Sequence, residues 1–202
     1  MLSSADYKSY VANSVNYDTY IAQMAEGAVS YPDEKYREYI VMNQHRIQRL
    51  EKTYTPSTDI MRVVDSLDHP VRWLVITEYW CGDASQSLPV LHKIAEASKG
   101  KIQMHLVYRD KKPELMNAYL TNGSRSIPKV IQLNDSYQVT GVWGPRPKAA
   151  QDLVVQLKSN PETAADYANQ LHLWYARDRQ KAFEAEIADL LMKADLFATG
   201  AN

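Results

Sequence analysis

The sequence predicts an α/β chain, a central mixed sheet flanked by helices, with additional helices before and after it. Three observations predict it. Two β-rich runs, 72–78 and 101–108, are separated by a helix-forming segment that stops near Gly100, the order of a parallel β-α-β unit. Two later runs, 126–133 and 137–142, are separated only by the turn signal Asn134-Asp135-Ser136, so they form a hairpin. On either side of this region, apolar residues recur at three- and four-residue steps, as they do on one face of a helix.

The elements follow in order. Residues 1–57 read as a helical extension. Ser30 is a start signal there, with Pro32 suited to a first turn. Tyr36, Tyr39, Ile40, Asn43, Ile47 and Leu50 then mark one face of a helix that ends near Thr55-Pro56. Ser57 or Thr58 can cap the next helix, which carries Ile60, Val63, Val64 and Leu67 and closes at Asp68-His69-Pro70. The middle region, 58–158, holds the strands. Helices are expected over 87–97, over 112–121 up to Asn122-Gly123, and over 148–158. The last part, 159–202, is a second helical extension. Its apolar stripe is Leu171, Trp174, Tyr175, Phe183, Ile187, Leu190 and Leu191, broad enough to pack on the middle region.

Composition narrows the function classes. The chain has 202 residues, with Lys and Arg (23) nearly balancing Asp and Glu (24). A near-neutral chain lacks the basic excess of non-specific nucleic-acid binders. No apolar run approaches the roughly 18–20 residues that cross a bilayer, and the polar N-terminus has no signal-peptide core. Neither a nucleic-acid nor a membrane partner is expected. A single cysteine, Cys81, rules out an internal disulfide scaffold and, with no signal, favours a reducing cytoplasm. His45, His69, His92, His105 and His172 are scattered without ligand spacing, so neither a metal site nor a cofactor is expected. Phosphate-loop, dinucleotide and G-x-S-x-G patterns are absent from the sequence.

The segment with chemistry in it runs from Glu78 to Pro89. It follows a strand and opens a helix, so Cys81 lies beside unpaired backbone N–H groups and the positive end of a helix dipole. Both favour the thiolate. Asp83 acts in the opposite sense, because a carboxylate nearby repels a thiolate.

Trp80-Cys81-Gly82-Asp83-Ala84 resembles the thioredoxin active-site motif W-C-G-P-C, closest to bacterial thioredoxin-like proteins with a W-C-G-D signature. Pro89 falls where that family kinks its active-site helix. Ile127-Pro128 resembles the cis-proline set beside the active cysteine, and Gly141 and Gly144 after the hairpin are similar too. The resemblance covers about 58–158. It implies a thioredoxin-like fold, Cys81 as nucleophile, Asp83 as its tuner, and Trp80, Gly82, Ile127 and Pro128 as the substrate platform. It also implies a protein thiol or disulfide, or a low-molecular-weight thiol, as partner. Backbone groups beside a cis Pro128 would pair with an extended peptide.

Two departures qualify the activity. Ala84 stands in place of the resolving cysteine, and Val75 in place of the family's buried aspartate. What remains is one thiol forming mixed disulfides that a small thiol such as glutathione resolves. Monothiol glutaredoxins work this way, although their C-G-F-S motif differs from Cys81-Gly82-Asp83-Ala84. The alternative is a non-catalytic protein- or peptide-binding module on a degenerate thioredoxin scaffold. Trp143-Gly144-Pro145-Arg146-Pro147 is expected on the Pro128 side of the sheet, either shaping the groove's rim or acting as a rigid turn.

Overall fold

A computed structural model describes residues 2–198. Four helices precede the first strand: α1 (Ser4–Ala12), α2 (Tyr17–Ser30), α3 (Glu34–Thr53) and α4 (Thr58–Ser66). The strands are β1 (Val71–Thr77), β2 (Ile102–Tyr108), β3 (Lys129–Leu133) and β4 (Val139–Trp143). Helix α5 (Gly82–Ala97) joins β1 to β2, and α6 (Pro113–Asn117) lies between β2 and β3. After β4 come α7 (Lys148–Ser159), α8 (Pro161–Ala164), α9 (Tyr167–Asp178) and α10 (Lys181–Ala198).

The strand order is β2-β1-β3-β4. β1 and β2 are parallel, as their helical crossover requires, and β3 runs antiparallel to both β1 and β4. This is the mixed sheet the sequence predicts. Central β1 carries Trp73, Leu74, Val75 and Ile76 with no measurable exposure, because helices cover both faces of the sheet.

Several boundaries differ from the sequence reading, each for a local reason. Ser30 ends α2, and the cap of α3 is Asp33, whose carboxylate accepts from the Lys35 and Tyr36 N–H groups. Ser57 does cap α4, accepting from Ile60 N–H. Helix α5 starts at Gly82, five residues before the expected 87, because Cys81 itself occupies the capping position. Pro89 lies within α5. Helix α6 is a short piece rather than a helix to Thr121, and β3 starts after Pro128, which has no N–H for a ladder. The turn before β4 uses Tyr137 at φ 58, so pairing resumes only at Val139.

One continuous hydrophobic cluster joins the sheet to both helical extensions. Tyr7, Tyr17, Tyr20, Met24, Ile40 and Ile47 enter it from the N-terminal side, and Phe183, Ile187, Leu190 and Leu191 from α10. Helix α10 lies so close to β4 that a Cβ on Gly141 would stand 2.6 Å from Leu190 Cδ1. Leu171 and Tyr175 of α9 instead form a small second cluster with Ala150 and Val154 of α7. The expected C-terminal stripe is therefore split: its last four residues reach the main core, and its first ones pack on α7.

Gly144 is the most constrained glycine. Its φ is +112, and a Cβ there would lie 2.3 Å from the Pro128 carbonyl oxygen. Both facts exclude a side chain without backbone movement. Gly144→Ala is expected to destabilise the chain by more than about 1 kcal/mol and to displace the Pro128 loop. Urea unfolding of the variant checks this, and an unchanged midpoint would contradict it.

Candidate active site

The site is built where β1 ends and α5 begins. Strand β1 runs into Glu78, and the Cys81 N–H bonds back to the Glu78 carbonyl at 3.1 Å, closing a tight turn. Cys81 then caps α5: the Ala84 N–H donates to its Sγ at 3.4 Å. On the opposite side the thiol donates to the Ile127 carbonyl at 3.3 Å. The Ile127-Pro128 peptide is cis, as the resemblance implies, and a second cis bond at Gly144-Pro145 lies beside it. The structure thus brings Cys81, Gly82, Asp83, Ile127 and Pro128 together from segments some 46 residues apart.

The thiol is covered. Cys81 is 7 % exposed, and burial pushes its pKa up to about 12, with the Asp83 charge adding to the rise. The N–H groups of Ala84 and Asp83 and the Arg146 charge act in the opposite sense but do not overcome it. The helix N-terminus therefore favours the thiolate, as expected, while loss of water around the sulfur outweighs it. Ala84, at the resolving position, is itself buried.

Asp83 is fully engaged. Arg146 donates to its Oδ2 from Nε at 3.1 Å and Nη2 at 2.5 Å, and Tyr175 donates to Oδ1 at 2.8 Å. Burial and the adjacent carboxylate hold the Tyr175 phenol well above its ordinary pKa. So the motif's acid ties together three separate pieces: the first turn of α5, the loop after β4, and α9. The segment 143–147 does lie against the Pro128 loop, through Gly144, and it reaches the motif through Arg146.

Trp80 is occupied as well. Its ring stacks on Tyr36 of α3 with centroids 5.1 Å apart, and the Arg109 guanidinium lies 4.6 Å from its centroid. Val75 is buried in β1, with no carboxylate in its place. The other buried acid of this region, Glu78, accepts from the Asp110 N–H at 3.0 Å, and burial raises its pKa.

Sequence reasoning missed the contributions of both extensions. Asn43 of α3 donates to the Tyr79 carbonyl at 3.0 Å and accepts from Arg46 at 2.8 Å. Arg46 and His172 of α9 flank Gly82, each with an atom 3.5 Å from where a Cβ would be. Asn43 lies on the helix face that the periodicity marks as apolar, and a polar residue there was the available signal. Nothing near His172 or Arg46 in the chain marks them.

Comparisons with known proteins agree with the fold. The sequence model of a thioredoxin family, described as thioredoxin, matches residues 30–165, more than half of the chain. Thioredoxin 1 of Nostoc sp. (strain PCC 7120) is 34% identical over 97 residues, spanning 46% of this chain and 83% of that protein. Among solved structures, a Pseudomonas aeruginosa protein of unknown function superposes with a TM-score of 0.62 at 17% identity, covering 96% of this chain and 99% of that one. An HIV epitope-scaffold superposes with a TM-score of 0.59 at 17% identity, covering 94% and 97%. At such identity the two structures speak to the fold alone. Their coverage extends over the helical extensions as well as the sheet.

Proposed function

The chain belongs to the thioredoxin family, and from that premise we propose that it acts in thiol–disulfide exchange as a single-cysteine protein that captures its partner in a long-lived mixed disulfide. The observation that carries this reading is the placement of Cys81 Sγ, 3.4 Å from the Ala84 N–H at the start of α5 and 3.3 Å from the Ile127 carbonyl before cis Pro128. The Cys81 thiol loses its proton, and the thiolate attacks one sulfur of a partner disulfide. A Cys81–partner disulfide forms, and the other partner sulfur leaves as a thiolate. A low-molecular-weight thiolate later attacks the partner's sulfur of the mixed disulfide, Cys81 leaves as a thiolate and takes up a proton, and the partner keeps the small thiol in a new disulfide.

The raised thiol pKa shapes both halves of this cycle. Little thiolate is present at neutral pH, so capture is slow. Release is slow too, because a thiol of high pKa is a poor leaving group and Ala84 cannot attack in place of a second cysteine. Asp83, engaged by Arg146 and Tyr175, has the role of tuning the charge around the sulfur rather than moving its proton. Trp80, Gly82, Ile127 and Pro128 form the platform, where an extended peptide would pair with backbone beside Pro128.

The 7 % exposure of Cys81 favours a second reading, in which the same segment binds peptides without covalent chemistry. One substitution separates the two. After incubation with glutathione disulfide, the wild-type protein is expected to gain one glutathionyl group by mass spectrometry, and Cys81→Ser none. Protein partners recovered with the wild-type chain should be released by dithiothreitol and missing from Cys81→Ser. Equal retention of those partners by Cys81→Ser would replace exchange with non-covalent binding.

A further inference from the structure

A cleft of about 360 Å³ lies between α3, the Trp80–Asp83 turn and α9, and the motif alone does not account for it. Its volume is at the low end of small-ligand pockets. Tyr39, Arg46, Trp80, Gly82, Tyr167 and His172 are among its walls. Two of its three sides come from the helical extensions.

Arg46 is the feature without a protein explanation. Its guanidinium donates to Asn43 Oδ1 at 2.8 Å and to the weakly accepting Met42 Sδ at 2.9 Å. Among the described residues it has no carboxylate within 4.0 Å. Burial lowers its pKa, the mark of a cation partly stripped of water. Asp83, the cleft's own acid, is committed to Arg146 and Tyr175. A guanidinium has five N–H donors in a planar fork, and half-buried ones are ordinarily matched to a carboxylate.

Beside Arg46, His172 Nδ1 is buried and without a hydrogen-bond partner among the described residues. Burial, with the nearby Arg46 charge, pushes the His172 pKa down to about 4, so its ring is neutral at pH 7 and Arg46 is the free charge. Gly82 opens the floor: a point where its Cβ would lie is 3.5 Å from Arg46 Nη1 and 3.7 Å from His172 Nε2. Without a side chain, Gly82 leaves Arg46 Nη1 and His172 Nε2 uncovered on that side of the cleft.

We propose that this cleft binds the carboxylate of a small organic acid, with Arg46 as its anchor and an apolar body lying against Tyr39, Tyr167 and Leu171. A single free guanidinium beside the Asp83 carboxylate suits one negative charge and disfavours a dianion such as phosphate. The site adjoins Cys81 through Gly82 but does not require the thiol to react, so it stands apart from the exchange chemistry proposed above.

The test uses the full chain and two probes that differ only in charge, N-acetyl-leucine and N-acetyl-leucinamide, titrated while backbone amide signals are recorded. The acid is expected to shift the Gly82 signal and those around Arg46 and His172, and to bind about tenfold more tightly than the amide. Arg46→Gln should remove that preference, and Arg46→Lys should keep part of it. Inorganic phosphate should not displace the acid. Cys81→Ser should bind the acid as the wild type does, so failure of the exchange reading leaves this result intact. Equal binding of acid and amide, shifts confined to another face, or an unchanged preference in a folded Arg46→Gln protein would each overturn the proposal.

Discussion

At pH 7, iodoacetamide is expected to alkylate Cys81 about a thousand times more slowly than an ordinary thiol, since the thiolate is the reacting form and its population falls tenfold per pKa unit. The thiol's pKa rises from 9.0 to about 12, first through burial and then through Asp83. The rate should still be climbing at pH 10, with no plateau below it. Mass spectrometry after timed quenching at a series of pH values gives the profile directly. A plateau below the ordinary thiol value of about 8.5 would mean that the helix N-terminus prevails over burial, and slow capture would be ruled out. Substitutions near the sulfur add a check on sign. Asp83→Asn removes a charge that raises the thiol's pKa and should speed alkylation. Arg146→Met removes one that lowers it and should slow the reaction further.

Arg146→Met is also expected to destabilise the fold by about 3–5 kcal/mol, the usual cost of leaving one member of a buried ion pair alone. The Arg146 and Asp83 side chains are only 16% and 10% exposed, so solvent does little to screen the loss. Tyr175 would remain as a neutral donor to Asp83, which softens the effect without replacing the charge. Urea unfolding measures the change. Asp83→Leu combined with Arg146→Met should recover most of it, because no buried charge is then left over. A single variant that unfolds within about 1 kcal/mol of the wild type would mean that the pair is more hydrated than its geometry indicates.

The two results interact. Asp83 holds α9 to the active-site turn while it disfavours the Cys81 thiolate, so one carboxylate links stability to thiol reactivity. A variant that speeds alkylation at this position is expected to loosen the C-terminal extension as well. This coupling differs from the simple tuning role that the motif implies, because the partners of Asp83 come from the loop after β4 and from α9.

The order of elements was legible in the sequence, and so was the junction that carries Cys81. Strands reveal themselves through β-branched runs and helices through periodic apolar residues, both of which are local. The turn Asn134-Asp135-Ser136 dictates a hairpin, and Ser57 announces a helix start, for reasons contained within a few residues. Helix α5 begins earlier than its apolar pattern because its cap is a sulfur rather than a hydroxyl or carboxylate. Cysteine is outside the usual capping set, so the local signal was silent there.

The sequence by itself determined the strand and helix order, the mixed sheet, and the placement of one thiol at a helix start next to an Ile127-Pro128 segment. Only the tertiary structure decided that this thiol is buried and protonated, that Asp83 is bound 63 residues away to Arg146 and 92 residues away to Tyr175, and that Arg46 and His172 flank Gly82. The physical reason is that periodicity states which face of a helix is turned inward but not what it meets. Desolvation and charge pairing depend on the neighbours that long-range packing supplies, and those set the chemistry of the sulfur.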